Sequence, residues 1–237
     1  MMNDLSALPF APDQIRGVIF DMDGLLLDSE RVALATIAQA AAPMGVEWPY
    51  DLGLAMVGLN SRDSDGIIRA RLGDDFPVAE LRERFGLLYE AEIEAGRIPL
   101  KPGVLELFEV LDALGLPRVV ATSTRRVRAE PKLAAVGLLD RVHGMVCGDE
   151  VARGKPAPDI FLAAAARMAL PAADCLVLED SNAGARGGHA AGARVVMVPD
   201  LLEQAADLRD AGVPTLASLG RMAVFLQTRR AVGAGPS

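Results

Sequence analysis

The run Val18–Gly24, with the sequence VIFDMDG, constrains the fold more than any other stretch of the chain. Its first three residues form a continuous apolar run, which is typical of a parallel strand buried on both faces. Asp21 and Asp23 follow at the carboxyl end of that strand, where open α/β sheets bind their ligands, and Gly24 allows a tight turn. Neighbouring carboxylates repel unless a cation or a shared proton relieves them. We therefore expect a metal ion here, and attack by a carboxylate on a phosphate.

Strand-like and helix-like stretches alternate through much of the remaining chain. Later apolar runs are typical of strands at Arg118–Ala121, Val142–Val146, Leu176–Leu178 and Arg194–Val198. Helical patterns separate these runs, and this alternation is characteristic of parallel sheets with crossover helices. The sequence therefore predicts the α/β class, with a doubly wound, Rossmann-like parallel sheet.

One long segment departs from this alternation. Between Ser29 and Ile98 the patterns are helical and no stretch is typical of a strand. We predict an inserted α-helical cap domain at 29–98, with the core formed by 13–28 and 99–230. Residues 1–12 lack the basic start and apolar run of a signal peptide and are predicted to be a loose leader. The tail at 231–237 is predicted to be disordered.

Composition limits the possible partners. The net charge of -8 and the pI near 4.9 argue against nucleic acid or an anionic membrane as the main partner. No apolar stretch approaches the roughly 20 residues of a membrane span. Cys147 and Cys175 show neither metal nor redox spacing, which indicates a reducing compartment. We expect a cytoplasmic protein, and a monomer because its motifs require no residues from a second chain.

Polar side chains follow four of the predicted strands. Besides the first pair of acids, these are Thr122 with Ser123, Lys155, and Glu179 with Asp180. Each group has a plainer explanation when taken alone, as helix caps, a turn lysine or partners of a helix dipole. If the strands are parallel, however, all four groups lie at one edge of the sheet. Their order along the chain therefore predicts one common site.

This order of motifs resembles the haloacid dehalogenase (HAD) superfamily. The stretches DMDGLLLDSE, GKPAPDIF and LEDSNAG resemble its phosphatase and beta-phosphoglucomutase-like branch, and the resemblance extends from about Arg16 to Leu226. It implies a Mg²⁺-dependent phosphatase that acts on a small phosphomonoester, such as a sugar phosphate or a similar metabolite. The reaction would pass through an aspartyl-phosphate intermediate.

The resemblance also implies roles for the four acids. Asp21 would be the nucleophile, and Asp23 first the general acid and then the general base. Mg²⁺ would be held by Asp21, by the backbone carbonyl of Asp23 and by Asp180. Glu179 would either bind the metal directly or support its ligands. Magnesium prefers oxygen ligands of this kind and retains several waters.

The same resemblance assigns the phosphate contacts. Thr122 and the backbone amide of Ser123 would hold phosphoryl oxygens, and Lys155 would neutralise charge between the nucleophile and the phosphate. A carboxylate that attacks a phosphate dianion needs such charge cancellation. In the cap, Asn60 and Arg62 are candidate substrate contacts, although Arg62 could equally be a solvated surface residue.

Two other functions remain open. A hexose-phosphate mutase of the beta-phosphoglucomutase type would carry a histidine on the first cap helix, and Arg31–Leu34 contains none, so we favour hydrolysis. A non-enzymatic phospho-receiver domain uses similar residue types, but receivers are about half as long and lack a cap.

Three residues conflict with helices predicted around them. Pro131 predicts a kink, or a helix that restarts with Pro131 in its first turn. Gly187 and Gly188 lie inside a predicted helix and suggest only close packing.

Overall fold

The computed structural model describes residues 8–57 and 61–229. Its centre is a five-stranded parallel sheet in the order β3-β2-β1-β4-β5. The strands are β1 Gly17–Phe20, β2 Arg118–Thr122, β3 Met145–Cys147, β4 Cys175–Glu179 and β5 Arg194–Met197. The predicted α/β fold with a doubly wound parallel sheet is confirmed.

Strand β1 lies in the middle of the sheet. Its four residues are buried, and Ile19 is in register with Val119 of β2 on one side and with Val177 of β4 on the other. The chain order of the strands reverses here, because β2 and β4 flank β1 on opposite sides. The residues that follow β1 therefore lie at a topological switch point, where α/β sheets form their binding crevices.

Ten helices accompany the sheet in the described residues. They are α1 Ser29–Ala41, α2 Tyr50–Met56, α3 Ser61–Leu72, α4 Val78–Glu94, α5 Val104–Ala113, α6 Arg126–Ala135, α7 Asp159–Arg167, α8 Asn182–Ala190, α9 Ala206–Asp210 and α10 Leu219–Gln227. Val18 and Phe20 share one hydrophobic cluster with α5, α6 and α10, whereas Ile19 shares another with α7, α8 and α9. Both faces of the sheet are thus covered, as a parallel sheet requires.

Helices α1–α4 form a helical insertion, which we call the cap. They contribute a hydrophobic cluster of their own, whose buried members are Ala40, Ala41, Ile68, Val78 and Leu81. Two chain segments join the cap to the core and pair with each other, since the Asp28 N–H donates to the Pro99 carbonyl and the Lys101 N–H to the Leu26 carbonyl, each at 2.9 Å. No residue of the described part of 29–98 lies in a strand.

The structure differs from the sequence predictions at the chain start. Leu8 and Phe10, in the predicted leader, pack against the core, where the Phe10 ring stands edge-on against Phe225 with centroids 6.0 Å apart. Residues 1–7 of the predicted leader and the predicted disordered tail lie outside the described residues. No helix among the described residues is long and apolar enough to cross a bilayer.

Helix α6 and strand β3 also differ from expectation. Helix α6 is continuous, and Pro131 is its sixth residue rather than part of a restarted first turn. Pro131 has no N–H to donate to the Val127 carbonyl, and Val127 lies at the surface with 75% exposure. Strand β3 begins at Met145 rather than at Val142, and a 3-10 turn at Leu139–Arg141 lies shortly before it.

Close packing explains the two glycines of α8. A Cβ atom on Gly187 would lie 2.8 Å from Phe161 Cε2 and 3.0 Å from the Ala157 carbonyl oxygen, and one on Gly188 would lie 3.0 Å from Val177 Cγ1. At Gly187 the helix therefore approaches Phe161 of α7 too closely for a Cβ atom to fit without a shift, and at Gly188 it lies close against the sheet.

We predict opposite effects of two glycine-to-alanine substitutions. Gly187→Ala should lower the free energy of unfolding by about 1–3 kcal/mol, because overpacking against the buried Phe161 ring outweighs the gain in helix propensity. Gly86→Ala is the matched control, since Gly86 lies inside α4 with nothing within 4 Å of the added Cβ, and it should raise stability by up to about 1 kcal/mol. Chemical denaturation of both variants tests this, and a Gly187→Ala variant as stable as the wild type would contradict it.

Candidate active site

The polar strand ends converge on one cavity. Its volume is about 380 Å³, and its lining includes Asp21 and Asp23 after β1, Thr122 and Ser123 at the end of β2, Lys155, and Asp180 after β4. Glu179, the last residue of β4, lies directly beside this cavity and is fully buried. The topology brings these groups together because the carboxyl ends of parallel strands meet at one edge of the sheet.

Three acids of this cavity form a cluster suited to a cation. Asp21, Glu179 and Asp180 each offer a carboxylate oxygen, and these oxygens lie within 4.8 Å of one another. Gly24 permits this arrangement, because its φ is 84° and a Cβ atom there would lie 2.2 Å from Asp180 Oδ2. The turn after β1 therefore fits closely against Asp180 only without a side chain.

Lys155 is the cation inside the acid cluster. Its ammonium donates to Asp21 Oδ1 and, at 2.6 Å, to Glu179 Oε1, and its side chain is 5% exposed. The other oxygen of Glu179 accepts from the Ser181 backbone N–H at 3.0 Å and from the Ser181 hydroxyl at 2.9 Å. Both oxygens of Glu179 are thus occupied by groups of the chain itself.

The cluster contains more negative than positive charge. Three carboxylates face the single ammonium of Lys155. Burial raises the pKa of Asp21 to about 8, and the charge of Glu179 adds to this effect although Lys155 opposes it. Burial, followed by the charges of Asp21 and Glu179, likewise raises the pKa of Asp180 well above its usual range. A divalent cation would relieve this excess, and carboxylate oxygens are the ligands that such hard cations prefer.

Asp23 is held separately from the cluster, by three donors. Lys132 Nζ and the Ser29 hydroxyl donate to Oδ1 at 2.8 Å and 2.7 Å, and the Thr124 hydroxyl donates to Oδ2 at 2.7 Å. Burial would raise the pKa of Asp23, but the Lys132 ammonium and the hydroxyls of Ser29 and Thr124 outweigh it, so the pKa lies below its ordinary value. The two acids of the DxD motif thus have opposite electrostatic environments.

Sequence reasoning missed these three donors. Ser29 has no sequence signal beyond its place at the start of the predicted cap, and Thr124 lies two residues beyond the predicted phosphate contact at Thr122. Lys132 carried one signal, because it shares a buried helical face with Ala129 and Leu133, where an apolar residue is expected.

The cap and one core loop form the wall opposite the acids. Phe85 and Tyr89 of α4 stack with centroids 5.3 Å apart, and Ala33, Val57 and the core residues Leu201 and Leu202 complete an apolar surface. Glu30, on the first turn of α1, adds a carboxylate, and burial raises its pKa to about 7.

The two predicted cap contacts are not tested by the structure. Asn60 lies outside the described residues. Arg62 lies in α3, and nothing of its side chain is described.

A family model for haloacid dehalogenase-like hydrolases matches residues 15–192. The chain belongs to this family. The match spans most of the core and the whole cap, and it includes all the predicted site residues.

Individual members of the HAD-like family are similar over nearly their whole length. Protein CbbY of Rhodobacter capsulatus is 32% identical over 222 residues, which cover 89% of this chain and 98% of CbbY. Fructose-1-phosphate phosphatase YqaB of Escherichia coli is 34% identical, over 78% of this chain and 97% of YqaB. The crystal structure of a HAD family hydrolase from Deinococcus radiodurans, solved with bound phosphate and sodium, superposes with a TM-score of 0.78 at 25% identity and covers 93% of this chain and 100% of that one.

The raised acid pKa values of this HAD-like hydrolase predict a pH-dependent response to metal. An acid with a raised folded-state pKa favours its protonated form, so the metal-free protein should lose stability as the pH rises from about 4 to about 8. A divalent cation bound by these acids would compete with those protons, and its affinity should rise by up to about tenfold per pH unit for each proton displaced. Millimolar Mg²⁺ should therefore raise the melting temperature more at about pH 8 than at about pH 6.

Thermal unfolding with and without Mg²⁺ measures this difference. Asp180→Asn is the control, because it removes one acid of the cluster and should reduce the Mg²⁺ effect at both pH values. An equal increase in melting temperature at the two pH values, or an unchanged Mg²⁺ effect in Asp180→Asn, would contradict the assignment of the cluster.

Proposed function

We propose that this HAD-family phosphatase hydrolyses a small phosphomonoester, a sugar phosphate or a similar metabolite, with Mg²⁺ and through an aspartyl-phosphate intermediate. The proposal rests on the position of the Asp21 carboxylate. It lines the cavity, it contacts Lys155, and it is one of the three acids of the cluster. A carboxylate nucleophile beside a lysine and a cation site is suited to phosphoryl transfer, because both cations offset the negative charge that meets there.

The reaction would have two steps. First, an oxygen of Asp21 bonds to phosphorus while the bond from phosphorus to the leaving oxygen breaks, and Asp23 gives that oxygen a proton. Second, water attacks phosphorus, Asp23 takes a proton from the water, and Asp21 leaves as a carboxylate with release of phosphate. The ionised Asp23 is ready for the second step. For the first step it must carry a proton, which a substrate bound as its monoanion can supply.

The remaining core residues would bind the metal and the phosphoryl group. Asp21, the Asp23 carbonyl and Asp180 would hold Mg²⁺, which supplies charge neutralisation when bound. Glu179 would support Lys155 rather than bind the metal, because both of its oxygens already accept hydrogen bonds within the chain. Thr122 and the Ser123 amide would hold phosphoryl oxygens, since both residues line the cavity next to Asp21.

The cap would select the substrate. The relative named fructose-1-phosphate phosphatase supports a sugar phosphate, and the cavity offers the Glu30 carboxylate to substrate hydroxyls and the Phe85–Tyr89 stack to an apolar face. Asn60 and Arg62 remain predicted contacts. Closure of the cap over the site would exclude water.

Hydrolysis is favoured over the two alternatives. Helix α1 lines the cavity with Ser29, Glu30 and Ala33, and no histidine lies among the described lining residues, whereas the mutase hypothesis requires one on this helix. A phospho-receiver domain would not need the cap that covers the acids. We further propose that the protein acts as a monomer in the cytoplasm.

We predict that Asp21→Asn abolishes turnover. With an aryl phosphate and Mg²⁺, its kcat/KM should fall by at least about 10³-fold, because the amide cannot act as the nucleophile. Asp140→Asn is the matched control. Asp140 is exposed and is not among the residues that line the cavity, so this variant should retain wild-type activity. Activity in Asp21→Asn comparable to the control would refute the assigned nucleophile.

A panel of phosphorylated sugars and metabolites then separates hydrolase from mutase. The proposal predicts one phosphate released for each substrate consumed, measured by phosphate assay and chromatography of the sugars. Isomer formation without phosphate release would establish the mutase, and a phosphorylated protein that persists for minutes without turnover would favour the receiver.

A further inference from the structure

Lys132 lies at the junction of the acid/base residue and the cap. Its side chain is 5% exposed and lines the cavity, and its ammonium is 2.8 Å from Asp23 Oδ1 and 5.0 Å from the centroid of the Tyr89 ring. The lysine comes from core helix α6, whereas Tyr89 belongs to cap helix α4.

Packing alone gives no reason for a lysine at this position. The neighbouring buried residues of the same helix face are Ala129 and Leu133, which are apolar. Burial of an ammonium costs several kcal/mol unless an ion pair of good geometry offsets it, and apolar residues often replace purely structural buried pairs without loss of stability. We therefore attribute the presence of a lysine at position 132 to its effect on Asp23 rather than to the stability of the fold.

Asp23 needs both oxygens fixed to act on a water molecule in the cavity. Thr124 binds Oδ2, and Ser29 and Lys132 bind Oδ1. Of these donors only Lys132 carries a charge, and charge-assisted hydrogen bonds are roughly twice as strong as neutral ones. Small errors in the direction of a base reduce its rate strongly.

We propose that Lys132 is a positioning residue, which holds the Asp23 carboxylate in the orientation that accepts a proton from the water that releases phosphate from Asp21. This inference rests on the two-step hydrolysis proposed above. In that second step a bond forms between the water oxygen and phosphorus, the bond between phosphorus and Asp21 breaks, and the proton passes to Asp23. Lys132 touches neither the water nor the phosphoryl group and acts through Asp23.

The cap takes part in this positioning. Ser29 begins α1, and the Tyr89 ring covers the Lys132 ammonium, so two of the groups around the pair belong to cap helices. The base is therefore fully oriented only while the cap rests on the core.

Lys132→Met tests the proposal with an aryl phosphate as substrate. The first step needs little acid assistance with such a leaving group, so the loss should fall on the second step alone. We expect kcat to fall by about 10²-fold and KM to fall with it, while kcat/KM changes by less than about threefold. A burst of aryl alcohol should precede the slow steady state. KM does not depend on the folded fraction of the sample, so partial misfolding cannot produce this result.

Arg128→Met is the matched control. Arg128 lies one turn earlier on α6 and pairs with Glu90 of the same cap helix at 2.8 Å, without contact to Asp23. Its loss removes a cation between core and cap and should leave kcat and KM within about twofold of the wild type.

The double variant Lys132→Met with Asp23→Asn completes the test. Because Lys132 acts through Asp23, Lys132→Met should have no further effect in a protein that already carries Asp23→Asn. The double variant should therefore match Asp23→Asn within about twofold. Unchanged kcat in Lys132→Met, an equal fall of kcat and kcat/KM without a burst, or additive losses in the double variant would overturn the proposal. Absence of activity in the wild type would instead refute the proposed function.

Discussion

The bonds of the Lys155 ammonium to Asp21 and Glu179 are the interaction on which the site depends. They join the carboxyl ends of the neighbouring strands β1 and β4 to the segment that follows β3. All three side chains are buried, so each charge would be costly without the others. The lysine offsets only part of the charge that the three acids carry when ionised, so the cluster is suited to a cation.

Ion pairs also join the cap to the core. Asp200, whose side chain is 2% exposed, accepts from Arg31 on the first turn of α1 at 2.6 Å and from Lys101 on the returning segment at 2.5 Å. Arg31 also pairs with a second carboxylate, that of Asp28, at 2.7 Å between Nη1 and Oδ1. These ion pairs attach both ends of the cap to the core. They lie next to the backbone hydrogen bonds between the two segments that connect cap and core. This arrangement keeps the cap helices against the cavity, where Tyr89 lies against Lys132 and Ser29 binds Asp23.

Much of the fold was predictable from the sequence because its signals are local. A parallel sheet imposes two patterns on a sequence, a buried apolar run such as the one before Asp21 and the alternation of strands and helices. These two patterns predict the correct fold class and the five strands. The convergence of Thr122, Lys155 and Asp180 followed from the same topology, since parallel strand ends share one edge.

The failures concern contacts that only tertiary structure creates. Phe10 carries no pattern, and its contact with the ring of Phe225, more than 200 residues later, exists only in the folded chain. Lys132 belongs to no motif in the sequence, although it lies against Asp23, 109 residues away along the chain. Pro131 predicts a kink or a restarted helix, and the restart is wrong, since helix propensity does not reveal that tertiary structure carries α6 through this residue.

The most direct test of the account is a crystal structure grown with Mg²⁺ and beryllium fluoride, a mimic of the phosphoryl group. We predict that the fluoride adduct is attached to an oxygen of Asp21, that Thr122 and Lys155 contact its fluorines, and that Mg²⁺ contacts both Asp21 and Asp180. An adduct on another residue, or a metal bound away from Asp180, would contradict the central claim that these strand ends form one phosphoryl-transfer site.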